Sequence, residues 1–313
     1  MSQAEESAST IERMLAIKGL PVFVDVHPDE LAVIAEHVRL CTFRRGETLF
    51  AGAQAPVSTI HLVLDGRVTE YRGGRPFTTH GPQHVLGGED ALALSSTDVV
   101  AVADEDTRTL AIERDHLRDV LEDNFGVLSA ALRGVAAATL RLRRRIVPSA
   151  GYLDSPPPAP ERPHLPDELG ARVAFLWEHT WLRHARASTL GQLASDAESV
   201  ALGNGERLWA AGDRGEDALV VVAGRVRCET GDGLQHFTLG RGAVIGLEEV
   251  LAMDERWCGA VVRAPGSALR ITRASLVDVL EDDPDSALAL LAALAAIASR
   301  LRDDVARGAG EPA

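Results

Sequence analysis

Two short letter patterns occur twice in this chain at nearly the same spacing. Gly46-Glu47-Thr48-Leu49-Phe50 is answered by Gly205-Glu206-Arg207-Leu208-Trp209, and Asp65-Gly66-Arg67-Val68 by Ala223-Gly224-Arg225-Val226. Gly46 to Gly205 is an offset of 159 and Gly66 to Gly224 an offset of 158. A fixed period of that size means that the second half repeats the fold of the first. The length of 313 residues suits two domains of ordinary size.

The hydrophobic period places the elements of each copy. A short helix is expected from Ile11 to Lys18. A firmer one starts after Val26, with Pro28, Asp29 and Glu30 in its first turn, where a fixed φ and negative charge are favoured. From Val38 the period changes to two. Strands are predicted at 38–43, 48–50, 58–64, 67–72, 75–79, 98–103 and 107–112, separated by Arg45-Gly46, Asp65-Gly66 and Gly73-Gly74. Helical spacing returns at 115–121 and 125–144.

The second copy runs the same way. Helices are predicted at 172–184 and 189–196, and strands at 200–202, 207–210, 218–223, 225–229, 234–238, 258–264 and 267–272. Two closing helices follow at 275–281 and 286–305. Between the copies the proline-rich stretch 146–166 breaks every period and is expected to be a semi-rigid linker. The expected fold class is α+β, with two tandem β-roll (jelly-roll-like) domains at 1–145 and 167–313, each flanked by amino- and carboxy-terminal helices.

At this point a family comes into view. Gly46-Glu47-Thr48-Leu49-Phe50, then Leu62-Val63-Leu64-Asp65-Gly66-Arg67-Val68, then Leu86-Gly87-Gly88-Glu89-Asp90-Ala91-Leu92 resemble the bacterial, catabolite-activator-like cyclic nucleotide-binding domain. The resemblance spans about 20–145 and 172–306. It implies a ligand cassette in which backbone amides of a Gly-Glu-x-Ala-Leu turn meet a cyclic phosphate and the Glu meets a ribose hydroxyl. An Arg nine or ten residues on then pairs with the phosphate, which a desolvated phosphate requires. On that pattern Gly88, Glu89, Ala91 and Leu92 are the candidate ligand residues of the first copy, and Gly246 and Arg256 those of the second.

Both cassettes depart from the pattern. In the first, Thr97 stands where the Arg should be and Asp98 where a hydroxyl should be, and no cation lies between Arg75 and Arg108. Glu89, Asp90 and Asp98 would face a phosphate with negative charge, which opposes binding. In the second, Leu247 replaces the ribose Glu, beside Glu248 and Glu249. Gap-free counting puts Arg256 at the phosphate position, whereas matching on Val262-Arg263-Ala264 puts Cys258 there. Arg256 is read either as the anion-binding residue or as a solvated loop charge, the second being the commoner fate of loop arginines. Trp257 either stacks on a base or is buried against a closing helix.

Other chemistry has little support. His80, His84 and Glu89 lack the spacing of a metal set, and His179 and His184, five apart, do not share a helix face. No nucleophile elbow, P-loop or thiol-redox spacing occurs, so no catalytic residue and no cofactor are assigned. Cys41, Cys228 and Cys258 read as reduced core thiols. The net charge of −14 and the lack of a reading helix after either roll disfavour nucleic acid. The Arg run at 141–145 sits where cations suit a helix end. The polar amino end carries no secretory signal, and the apolar run Ala287 to Ala298 is too short to span a bilayer. The expected location is the cytoplasm.

The closing helix at 286–305 is apolar nearly all round and must be buried, either by its own chain or by a partner. The expected function is a non-enzymatic regulatory or interaction protein with diverged pockets and a protein partner or self-association through the closing helices. The alternatives are a sensor of a cyclic nucleotide or other small anion using the second copy, and a transcriptional regulator of the catabolite-activator type.

Overall fold

The computed structural model describes residues 10–94, 96–145, 168–180, 182, 185–230 and 236–308. The expected linker at 146–166, His184 and the last residues of the chain lie outside them. The chain divides into two units, one of residues 1–131 with 298–313 and the other of residues 132–297. The boundaries fall between 131 and 132 and between 297 and 298.

Unit 1 opens with helices α1 (Thr10–Lys18) and α2 (Pro28–His37). The start of α2 is set by a capping box: His27 accepts from the Asp29 amide while Glu30 reaches back to the His27 amide. Strands follow at β1 (Arg39–Phe43), β2 (Thr48–Ala51), β3 (Thr59–Asp65), β4 (Val68–Arg72), β5 (Arg75–His80) and β6 (Val85–Leu86). Then come the short helix α3 (Gly88–Leu92), strands β7 (Val99–Ala103) and β8 (Thr107–Glu113), and helices α4 (Arg114–Asp123) and α5 (Phe125–Arg143). Two antiparallel four-stranded sheets result, ordered β1-β8-β3-β6 and β2-β7-β4-β5. This is the jelly-roll-like double layer expected from many short strands. Strand β7 buries every second residue, as a half-buried strand must.

From residue 168 onward come α6 (Leu169–His179), α7 (Ala187–Asp196), β9 (Glu198–Leu202), β10 (Arg207–Trp209), β11 (Asp217–Thr230), β12 (His236–Leu239), β13 (Val244–Ile245), α8 (Leu247–Ala252), β14 (Cys258–Thr272), α9 (Arg273–Asp282) and α10 (Pro284–Gly308), all in unit 2 except the residues of α10 from 298 on, which belong to unit 1. Here the structure corrects the strand count. The two strands expected on either side of Gly224 are the single strand β11, and those on either side of Pro265-Gly266 are the single strand β14. Register shifts at Val221 to Val226 mark bulges that bend the ladder while it continues. The glycines allow the bend: Gly224 has φ +93°, and a Cβ on Gly266 would lie 2.0 Å from the Ala223 carbonyl oxygen.

The core of unit 2 joins Leu140 of α5 to Trp209, Leu219, Val221, Val226 and Ile245. Of the apolar residues of α10, Leu290, Leu291, Leu294, Ile297 and Leu301 are buried, while Leu288, Ala292, Ala296 and Val305 stay partly exposed. By length and composition α5 and α10 would each suffice to cross a membrane, which the apolar run taken alone did not indicate.

Candidate functional site

In unit 1 the cassette turn is built by β6, Gly87 and α3. Gly87 caps α3 in the left-handed region, and a Cβ there would press on the Phe50 ring and the Thr59 carbonyl oxygen at 3.2 Å. Ala91 is fully buried, while Gly88, Glu89 and Leu92 are half-buried. Thr97, at the position expected for an Arg, donates its amide to the Gly52 carbonyl, and Asp98 is exposed. Asp90 does not face an open anion site. It is buried and receives Arg72 Nη2 at 2.5 Å on one oxygen and Ser299 Oγ at 2.6 Å on the other.

Arg72 is the centre of this arrangement. Besides Asp90 it donates to Glu70 Oε1 at 2.6 Å and to Asp303 Oδ1 at 2.7 Å. Arg302 lies 3.4 Å from Glu70 and 3.6 Å from Glu89, and His80 lies 3.6 Å from Glu70. Both guanidinium groups approach the Phe77 ring, at 5.8 and 5.9 Å. Burial alone would push the Glu70 carboxyl up, but His80, Arg302 and Arg72 hold it at about 2. Burial likewise opposes the charge on Arg72, which Asp90 and Glu70 more than restore.

Sequence reasoning missed Arg72, because the family pattern places its cation after the cassette and not before it. One signal was present. Glu70 and Arg72 are two apart on a strand and therefore share a face, and two opposite charges on the face that meets the cassette mark a buried pair.

In unit 2 the turn is Gly246 followed by α8. Gly246 has φ +86°, and a Cβ would lie 2.1 Å from Arg256 Nη1. Arg256 is 3% exposed, which overturns its reading as a solvated loop charge. The loop 253–257 turns inward because Arg256 donates from Nη2 to the Asp217 carboxylate at 2.6 Å and the Asp217 carbonyl at 2.8 Å. Its Nη1 reaches the Gly246 carbonyl at 3.4 Å, and its guanidinium stacks over Trp209 at 4.1 Å. Of the two candidate positions for the phosphate-binding residue, Arg256 is the one at the turn. Cys258 is a buried thiol beside Cys228, whose hydrogen bond and the surrounding burial push its pKa up.

Leu247, where a ribose-binding Glu was expected, turns inward to a cavity of about 10 Å³ that it lines with Leu176, Val220, Val244 and Leu276. That space holds one water at most. Trp257 is buried and stacks on Phe237 at 5.7 Å, with the Arg143 guanidinium 5.9 Å from its ring. Arg143, from the end of α5, binds Glu248 Oε1 from Nε at 3.1 Å and from Nη2 at 2.8 Å.

Glu249 is 2% exposed, and its Oε2 has no hydrogen-bond partner. Burial and the neighbouring Glu248 push its carboxyl up to about 7, against the pull of Arg256 and of the Glu249 and Trp257 amides. A folded-state pKa above the ordinary 4.5 means that the contribution is fully present below pH 4.5 and lost as pH rises through 7. Glu249→Gln should therefore stabilise unit 2 at pH 8 by about 1–3 kcal/mol while changing little at pH 5. Urea midpoints at the two pH values check this, and an unchanged pH slope in the variant would refute it.

Residues 199–283 match the family model described as cyclic nucleotide-binding domain. A cyclic nucleotide-binding domain is therefore present in the second half of the chain, on the strands and cassette turn just described. No match was found among curated proteins. Among solved structures, the regulatory subunit of a cAMP-independent protein kinase A from Trypanosoma brucei is 16% identical, with 90% of each chain covered and a TM-score of 0.33. The regulatory domain of Toxoplasma gondii protein kinase A with cAMP is 13% identical, covering 92% of this chain and 97% of the other at a TM-score of 0.35. A cyclic nucleotide-binding-like protein from Brucella abortus is 23% identical and covers 36% of this chain and 98% of its own, at 0.31. Likenesses of this size carry no inference about ligand or partner.

Proposed function

We propose that the chain is a non-enzymatic regulator made of two tandem cyclic nucleotide-binding-like domains with diverged cassettes, acting in the cytoplasm through contact with another protein. One observation carries this reading: the guanidinium groups at both cassettes are already neutralised from within. Arg72 is shared among Glu70, Asp90 and Asp303, and Arg256 is held by Asp217 and the Gly246 carbonyl. A phosphate would have to displace a carboxylate from either one: buried Glu70 or Asp90 at Arg72, or partly exposed Asp217 at Arg256.

Titration calorimetry of the whole chain with cyclic AMP, cyclic GMP and cyclic dinucleotides tests the reading, and no saturable heat is expected. A second reading, a nucleotide or small-anion sensor working through unit 2, is favoured by the placement of Arg256 against Gly246 within the matched stretch. Saturable heat that disappears in Arg256→Ala would establish the sensor in place of the first reading. A retarded band in a low-salt mobility shift would instead favour a DNA-binding regulator, which the acidic charge balance opposes.

A further inference from the structure

Ser299, Arg302 and Asp303 stand at positions i, i+3 and i+4 of α10 and so project from one face. All three belong to unit 1, and each engages a charged group of the cassette or of the strand beneath it. Ser299 Oγ donates to Asp90 of α3 at 2.6 Å, Asp303 accepts from Arg72 of β4 at 2.7 Å, and Arg302 lies between Glu70 of β4 and Glu89 of α3 at 3.4 and 3.6 Å. Leu301, between these polar positions, and Ala298, just before them, are buried.

Three features set this cluster apart from a surface salt bridge. The side chains of Arg72, Glu70 and Asp90 are each only 1% exposed, so while the helix is docked their partners are protein groups and not water. Asp303 supplies Arg72 with a carboxylate from outside the sheet, in the role an anionic ligand would fill. The cassette turn itself is fastened from both of its acidic residues, Glu89 through Arg302 and Asp90 through Ser299.

We propose that Ser299, Arg302 and Asp303 form an internal latch that occupies the cassette of unit 1 and holds it shut, an autoinhibitory contact made by the carboxy-terminal part of α10. Release of the latch frees α3 and the last turns of α10 together. Those two segments are then the moving parts through which unit 1 changes state. The latch is independent of whether unit 2 takes a nucleotide, so calorimetry and the following experiment fail separately.

Hydrogen exchange measured on the whole chain tests it. In the double variant S299A/D303N, amides of 88–92 and 298–308 should exchange at least about tenfold faster, while those of β3 and β8 keep their wild-type rates. Unchanged rates in the two segments would overturn the latch. So would an equal acceleration across unit 1, which is general destabilisation and not local release. Should the double variant fail to fold, R302Q carries the test, since Arg302 sits at the rim of the cluster. It should accelerate the same two segments by a smaller factor of about threefold, and no change, or change elsewhere in equal measure, overturns the proposal.

Discussion

Arg72→Met should lower the stability of unit 1 by about 3–5 kcal/mol, the usual cost of leaving buried charge without its partner. The variant strands Glu70 and Asp90, both fully buried, and deprives Asp303 of its donor. Arg302 and His80 remain near Glu70 but do not reach Asp90 in the native arrangement. The loss should appear in thermal unfolding followed by circular dichroism, and in faster amide exchange of β3 and β4. It should be absent from tryptophan fluorescence of the folded state, because no tryptophan occurs in the sequence of unit 1.

The same substitution should change the acid limb. In the native chain Glu70 is held near 2 against an ordinary 4.5, so its contribution is present above pH 4.5 and lost as pH falls toward 2. Without Arg72 that depression shrinks and the acid limb flattens. If Arg72→Met costs less than about 1 kcal/mol, the cluster is exposed in solution and the account of unit 1 is wrong.

Arg143→Met should destabilise unit 2 on a similar scale, about 3–5 kcal/mol. Glu248 loses a guanidinium that binds it through two nitrogens, and it sits next to Glu249, a second buried carboxyl. Urea unfolding followed by tryptophan emission should show a midpoint lower by roughly 1.5–2.5 M, taking a slope of about 2 kcal/mol/M. Trp257 emission should shift as well, since the Arg143 guanidinium lies over its ring. A midpoint moved by under about 0.3 M would show that Glu248 reaches water or another donor. Combining Arg143→Met with Glu248→Leu should recover much of the loss, because an apolar pair of similar volume avoids the desolvation of both charges.

These two residues show where the division between local and long-range information falls. The turn glycines, the change of period at Val38 and the helical spacing after Arg114 placed most elements of unit 1, because turn chemistry and side-chain periodicity are local properties of the backbone, while the bulged strands β11 and β14 of unit 2 were read as two strands each. The absence of any cation between Arg75 and Arg108 was likewise plain from the letters alone. What surrounds each cassette was not. Asp90 meets an Arg 18 residues before it and a Ser 209 residues after it, and Arg143 meets a Glu 105 residues away. Arg256 looked like a loop charge and is buried because Asp217, 39 residues earlier, draws it inward. Whether a charged side chain is solvated or neutralised depends on which distant groups the closed fold brings within about 3 Å, and on the water that folding removes between them. No local pattern encodes that distance, so the strands and turns were legible in the sequence, while the charge pairing around the cassettes was decided by tertiary structure.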